Sequence, residues 1–351
     1  MGVGRRGTGL NRRYGRTIAG LPTSKAGAEE TGPKRSQLIQ GIVGPLVGVG
    51  VLLAFLWPHF DEIGEAFELI SLKALVALTV LHLIALLLRA EAWGRCVDAA
   101  GSPLERSLLH STSSLRFLAD TVVPTYLGAW VRIGLVKRYD KPRAEQPGAT
   151  PTPTIGQMIT ADGLMLVVEA AITVVLVVIA VFTSSLEWWW IVVFSAFVLV
   201  LLVSLKWLFR KFKDREFART AQVLSHSRHR LILTLLLAVV LTIQPIRFYI
   251  AFKAVGLDPS MSDALLAFLL TTVFNALPIG PGPSSIAATS ALFAGEGIAV
   301  TASAGLVLLA SAVVAAAVYS VYGAFDLLRR IRTGRAVQTA EMSPASEADT
   351  S

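Results

Sequence analysis

The chain has 351 residues, of which 54% are hydrophobic and only 16% charged. Several apolar runs of about twenty residues are each long enough to cross a hydrocarbon core, which excludes a soluble globular fold. The net charge of +8 sits in clusters beside those runs, a pattern that orients spans and meets anionic headgroups and does not read as a nucleic-acid surface. A single cysteine, Cys96, excludes an internal disulfide framework, and scattered histidines offer no metal-ligand spacing, so neither metal nor cofactor is expected.

Residues 1–36 are rich in Gly and Arg and contain no apolar run, so they read as a disordered basic tail and not as a signal peptide. The first span is Leu38–Trp57, followed by an acidic loop with Asp61, Glu62, Glu65 and Glu68. The second, Leu72–Trp93, leads to Arg89, Arg95 and Arg106. Ser107–Val136 is long enough for one span, yet it carries Arg116, Asp120 and Arg132 and is interrupted by Pro124 and Gly128. Basic clusters flank it on both sides, so the segment enters and leaves by one face, as a re-entrant hairpin. Lys141–Thr154, with four prolines, reads as the loop that follows.

The third span runs from about Ile159 to Phe182 and ends at the tryptophans Trp188–Trp190, which read as an interface anchor. The fourth, about Trp190–Phe209, enters a strongly basic loop, and the fifth, Leu231–Val255, carries Gln244, Pro245 and Arg247. Ala264–Ile298 is apolar but cut by Pro278, Gly280, Pro281, Gly282 and Pro283, where missing N–H groups and ring clashes break a helix. Each arm is about 21 Å long as a helix, too short to cross but long enough to pass the midplane. Such a broken tip is tolerated only inside protein or a wet cavity, so this is a second re-entrant hairpin. The sixth span, Ala299–Leu328, ends in an arginine cluster, and residues 331–351 read as a disordered tail after a transmembrane domain over 37–330.

Of the 32 Lys and Arg residues, only Lys73 and Lys253 fall on the assigned outer side, while Arg116, Arg132 and Arg247 lie within membrane segments. That bias places both termini in the cytoplasm, in a plasma (inner) membrane. The resulting order is span, span, hairpin, span, repeated from the opposite face. The fold class is therefore all-α and polytopic, with about six spans and two opposed hairpins in an inverted-topology repeat, an arrangement transporters use to build an alternately accessible site.

Charges at membrane depth are costly and mark partners or pathways. Arg116 and Asp120 are four apart and share a helix face, so they pair or bind a headgroup together. Arg132 either holds an anionic headgroup through its two-pronged guanidinium or snorkels to the interface. Asp162 and Glu169, seven apart, lie on roughly one face, and Asp162 neutralises an arginine or relays a proton. Arg247 follows Pro245, where a kink frees carbonyl groups. Asn275 either binds substrate or caps exposed backbone; His82 reads as a hydrogen-bonded packing residue, and Glu296 as a solvated one.

At the two hairpins the sequence resembles the lysylphosphatidylglycerol synthase transmembrane-region family, the flippase-like integral membrane proteins. Pro124, Gly128 and Arg132 fit a proline followed by a Gly-acid-x-x-Arg pattern. Leu277-Pro278 and Pro281-Gly282 fit a later Leu-Pro and Pro-Gly turn, and Asp162 fits an aspartate on the next span. The family's acidic positions read here as Ala129 and Ala288, and its Glu-Arg as Met158-Ile159. The resemblance implies a lipid-translocating fold without the aminoacyl-transferase domain of full-length synthases. The expected function is thus a flippase for an anionic lipid or lipid-linked precursor, partnered by membrane lipids and by a second copy or a lipid-modifying enzyme. No soluble catalytic domain or enzyme motif is present; the alternatives are a membrane-embedded lipid- or polyprenyl-modifying enzyme relying on Asp120 or Asp162, a small-anion transporter, and a scaffold.

Overall fold

The computed structural model describes residues 70–122, 125–144, 151–183, 227–275, 281–293 and 298–341, with isolated positions elsewhere. Among the described residues there are eight helices and no strand: α1 (Leu72–Ala99), α2 (Arg106–Val122), α3 (Thr125–Ala144), α4 (Ile155–Thr183), α5 (Ser227–Ala254), α6 (Met261–Phe274), α7 (Pro281–Leu292) and α8 (Ile298–Glu341). Four of them, α1, α4, α5 and α8, are long and apolar enough to cross a membrane. At 14 residues, α6 is about 21 Å long and too short to do so. The protein is an all-α, polytopic membrane protein. The expected spans Leu38–Trp57 and Trp190–Phe209, the Trp188–Trp190 anchor, Pro124, Pro278, Gly280 and Glu296 lie outside the described residues.

Local signals explain where the helices stop and start. The side chain of Ser71 caps α1 by accepting from the Ala74 N–H. Gly101 and Gly256, the two glycines at positive φ among the described residues (87° and 83°), end α1 and α5. In each, the residue after the glycine donates back to a carbonyl five residues earlier: Ser102 to Val97 at 3.4 Å and Leu257 to Phe252 at 3.0 Å. These are Schellman closures, which need the left-handed conformation glycine adopts freely. Ser260 then starts α6 with a reciprocal capping box to Asp263.

The helices alternate in direction. Leu78 near the start of α1 shares a cluster with Phe252 near the end of α5, while Val97 near the end of α1 lies with Leu233 near the start of α5. The side-chain amide of Gln157, at the start of α4, donates to the Ala100 carbonyl at 3.1 Å, and Arg330, late in α8, reaches Glu105 before α2 at 2.7 Å. The end of α1, the starts of α2, α4 and α5, and the C-terminal part of α8 therefore gather at one end of the bundle. That end also carries Arg95, Arg106, Lys137, Arg138, Arg228 and Arg230. At the opposite end Ser262, in the first turn of α6, donates to the carbonyl of Thr183, the last residue of α4, at 3.4 Å. The α2–α3 hairpin thus opens at the basic end and the α6–α7 hairpin at the other.

Close approach is bought with small residues. A Cβ on Gly305 of α8 would stand 2.7 Å from the Ile286 Cα and 3.0 Å from its N, so α7 lies directly against the backbone of α8. Since the obstructing atoms are backbone, Gly305→Ala forces α7 outward and is expected to cost about 1–3 kcal/mol, read as a lowered melting temperature in detergent. Some hydroxyls of α2 fold back on the helix: Ser111 donates to the Ser107 carbonyl at 2.7 Å and Thr112 to that of Leu108 at 2.9 Å.

Several expectations need correction. Gly128 is not a break, because α3 runs through it; it is a contact point, as a Cβ there would lie 1.9 Å from Asp120 Oδ1 and 3.0 Å from the Arg116 carbonyl. Pro281 and Gly282 open α7 instead of interrupting it, and Pro281 takes the first helical position, where its missing N–H costs nothing. The backbone of Lys141–Ala144 continues α3, and α8 continues past Leu328 to Glu341. Trp93 ends no span, since α1 continues to Ala99 and the indole is completely buried. Cys96 is equally buried.

Candidate functional site

Three elements bring the site together. Arg116 and Asp120 stand on α2, one turn before its end, and pair at 3.3 Å as their i,i+4 spacing dictates. Arg132 stands on α3, on the returning arm. Asp162 stands in the first half of α4, seven residues after its first residue, Ile155. A single oxygen of Asp162, Oδ1, accepts from Arg116 Nη1 at 2.7 Å and also from Arg132 Nη2. One carboxylate thereby binds both arms of the first hairpin to the neighbouring span.

Arg132 is 1% exposed, so it does not snorkel. Its guanidinium carbon lies 3.7 Å over the Trp93 ring of α1, an approach within which cation and ring quadrupole attract. Three buried polar atoms around this cluster have no hydrogen-bond partner: Arg132 Nε, Asp120 Oδ1 and Trp93 Nε1. Buried polar groups are ordinarily satisfied, so these three atoms leave hydrogen-bonding capacity unused within the cluster. Two cations and two carboxylates balance here, and the charge is spread unevenly, with Asp162 shared and Asp120 half engaged.

A second pair lies beside the cluster. Arg89 of α1 donates to Glu169 of α4 from both Nε, at 3.0 Å, and Nη2, at 2.5 Å. Asp162 and Glu169 therefore do share a face, each answering arginines from a different helix.

Arg247 shares no partner with this cluster. It is 5% exposed and donates to Gln244 Oε1 at 2.9 Å, Ser311 Oγ at 3.1 Å and the Leu308 carbonyl at 3.3 Å. It does not reach the outer interface. Asn275 closes α6 with its backbone N–H on Thr271 O at 2.8 Å, and its side chain is exposed, apart from both arginine sites. His82 differs from expectation, since its buried Nδ1 has no partner. In the last turn of α5, Lys253 bonds Asp258 of the following loop and holds its carboxyl below the usual range.

Sequence reading missed Trp93 and the Arg89–Glu169 bond as parts of the site. Trp93 reads in the sequence as the end of the second span because the apolar run ends there; the signal was the continued helical pattern to Ala99. Arg89 looked like a flanking charge because nothing local pairs with it.

No curated protein and no solved structure matches the chain. The model of the lysylphosphatidylglycerol synthase TM region matches residues 41–286, from before α1 into α7. That match spans more than half of the sequence and takes in the whole arginine–carboxylate cluster, so the chain belongs to the lysylphosphatidylglycerol synthase TM region family.

Proposed function

We propose that the protein moves an anionic lipid, or a lipid-linked precursor, between leaflets, with the headgroup passing the first hairpin and the acyl chains remaining in lipid. The observation that carries this reading is a buried arginine, Arg132, with an unpartnered Nε beside a shared carboxylate. A phosphate diester arriving there accepts from Arg132 and Arg116 in geometry that guanidinium favours, and Asp162 is the internal anion it replaces. Membership of a membrane-lipid family supplies the substrate class. For the embedded-enzyme alternative Asp162 is not a free base, held as it is by two guanidiniums, which leaves Asp120 with its unpartnered Oδ1 as the candidate.

The basic end faces the cytoplasm of the plasma membrane in this reading, with the α5–α6 loop outside. Buried Cys96 is a poor reporter, so the test uses introduced cysteines. Asp61→Cys and Asp258→Cys are expected to react with an impermeant maleimide from outside intact cells, and Arg106→Cys only after permeabilisation; the reverse pattern contradicts the orientation. Function is tested by reconstituting the full chain in vesicles. Fluorescent phosphatidylglycerol is expected to cross faster than in empty vesicles with its mass unchanged, whereas a new lipid mass would point to the enzyme alternative.

A further inference from the structure

The two halves of the bundle treat a crossing arginine differently. The spans before each hairpin, α1 and α5, are both 28 residues long, and each ends in a Schellman glycine followed five residues later by the first arm of a hairpin. Arg89 precedes Gly101 by twelve residues and Arg247 precedes Gly256 by nine, so the two stand within a turn of equivalent depth. Arg89 crosses to α4 and finds the carboxylate of Glu169. Arg247 crosses to α8 and finds only the hydroxyl of Ser311 and the carbonyl of Leu308.

Arg247 is consequently a buried cation with neutral partners alone; no Asp or Glu pairs with it among the described residues, and its Nε is unpartnered. Taking a charge out of water without a counter-charge is expensive, and a membrane interior makes it more so. Its surroundings offer further unused polarity. The unpartnered Nδ1 of His82 lies on α1, within coulombic reach of both Arg247 and Arg89. Leu308 lies three residues along α8 from Gly305, against which α7 packs, and the first turn of α7 contains no acidic residue.

We infer that Arg247 forms a second oxyanion site, separate from the Arg116–Arg132 cluster, that takes a phosphate group. A phosphodiester headgroup or free inorganic phosphate would satisfy the same chemistry. As a second station for a crossing lipid it rests on the translocation proposed above; as a binding site it rests on Arg247's own surroundings.

The test counts ligands on the detergent-solubilised full chain by native mass spectrometry, with dioctanoyl phosphatidylglycerol and inorganic phosphate titrated separately. Wild type is expected to bind two phosphatidylglycerol molecules. Ser311→Asp places a carboxylate on α8 opposite Arg247, copying the Arg89–Glu169 pair, and is expected to melt no lower than wild type while losing one bound lipid. Arg247→Gln is expected to weaken that binding about tenfold or more, the loss of a charge-assisted hydrogen bond. Saturation of the same site by inorganic phosphate, with lipid excluded, would identify free phosphate as the ligand and keep the site. Unchanged stoichiometry and affinity for both probes in Ser311→Asp overturns the inference. Lipid translocation that proceeds normally in Ser311→Asp, alongside unchanged binding, overturns this site alone; absent translocation in wild type with intact Arg247 binding overturns only the flippase reading.

Discussion

Replacing Asp162 with Asn is expected to destabilise the protein more than any other single change in the cluster, by about 3–5 kcal/mol, read as a large drop in melting temperature in detergent. Its Oδ1 accepts from both Arg116 and Arg132, so the amide leaves two guanidiniums without their shared counter-charge. Arg116 retains Asp120 at 3.3 Å, but Arg132, 1% exposed, retains only the face of Trp93. Asp120→Asn is the control. Its carboxylate pairs with Arg116 alone, and the loss is expected to be smaller because Arg116 keeps Asp162. Equal losses in the two variants would mean that Asp162 is not the anchor of the hairpin.

Replacing Arg132 with Gln has the opposite profile. Asp162 keeps Arg116 at 2.7 Å, so the fold is expected to survive with a modest loss. Translocation is expected to fall about tenfold or more, because the residue that meets the phosphate with two parallel donors has gone. Arg132→Lys is expected to fall between the two, retaining the charge without the planar fork that stacks on Trp93 and reaches Asp162. A lysine variant as active as wild type would show that point charge alone suffices.

Much of this architecture is legible in the sequence because membrane segments obey few rules. Apolar length marks α1, α4, α5 and α8, and clusters of Lys and Arg separate the two ends of the bundle. The i,i+4 pairing of Arg116 with Asp120 follows from helix geometry alone. The pairing of Arg116 and Arg132 with one oxygen of Asp162 does not, since it depends on how tightly α2 and α3 meet at Gly128 and on the depth of α4 beside them. Gly128 illustrates the difficulty: a glycine beside a proline reads as a break, whereas here it removes a side chain so that Asp120 can approach. Trp93 and Arg89 stayed hidden for a related reason, as their partners lie on other helices and no local pattern announces them. The expected repeat rests on the order of segments, two of which lie outside the described residues; what the described residues add is that α1 and α5 end alike, in Schellman closures at Gly101 and Gly256.

The most direct measurement is the initial rate at which fluorescent phosphatidylglycerol becomes accessible to a membrane-impermeant quencher in vesicles holding wild type, Arg132→Gln or no protein. The account predicts a wild-type rate well above that of empty vesicles and an Arg132→Gln rate close to background, with both proteins monodisperse and folded. A wild-type rate equal to that of empty vesicles, or an Arg132→Gln rate equal to wild type, contradicts it.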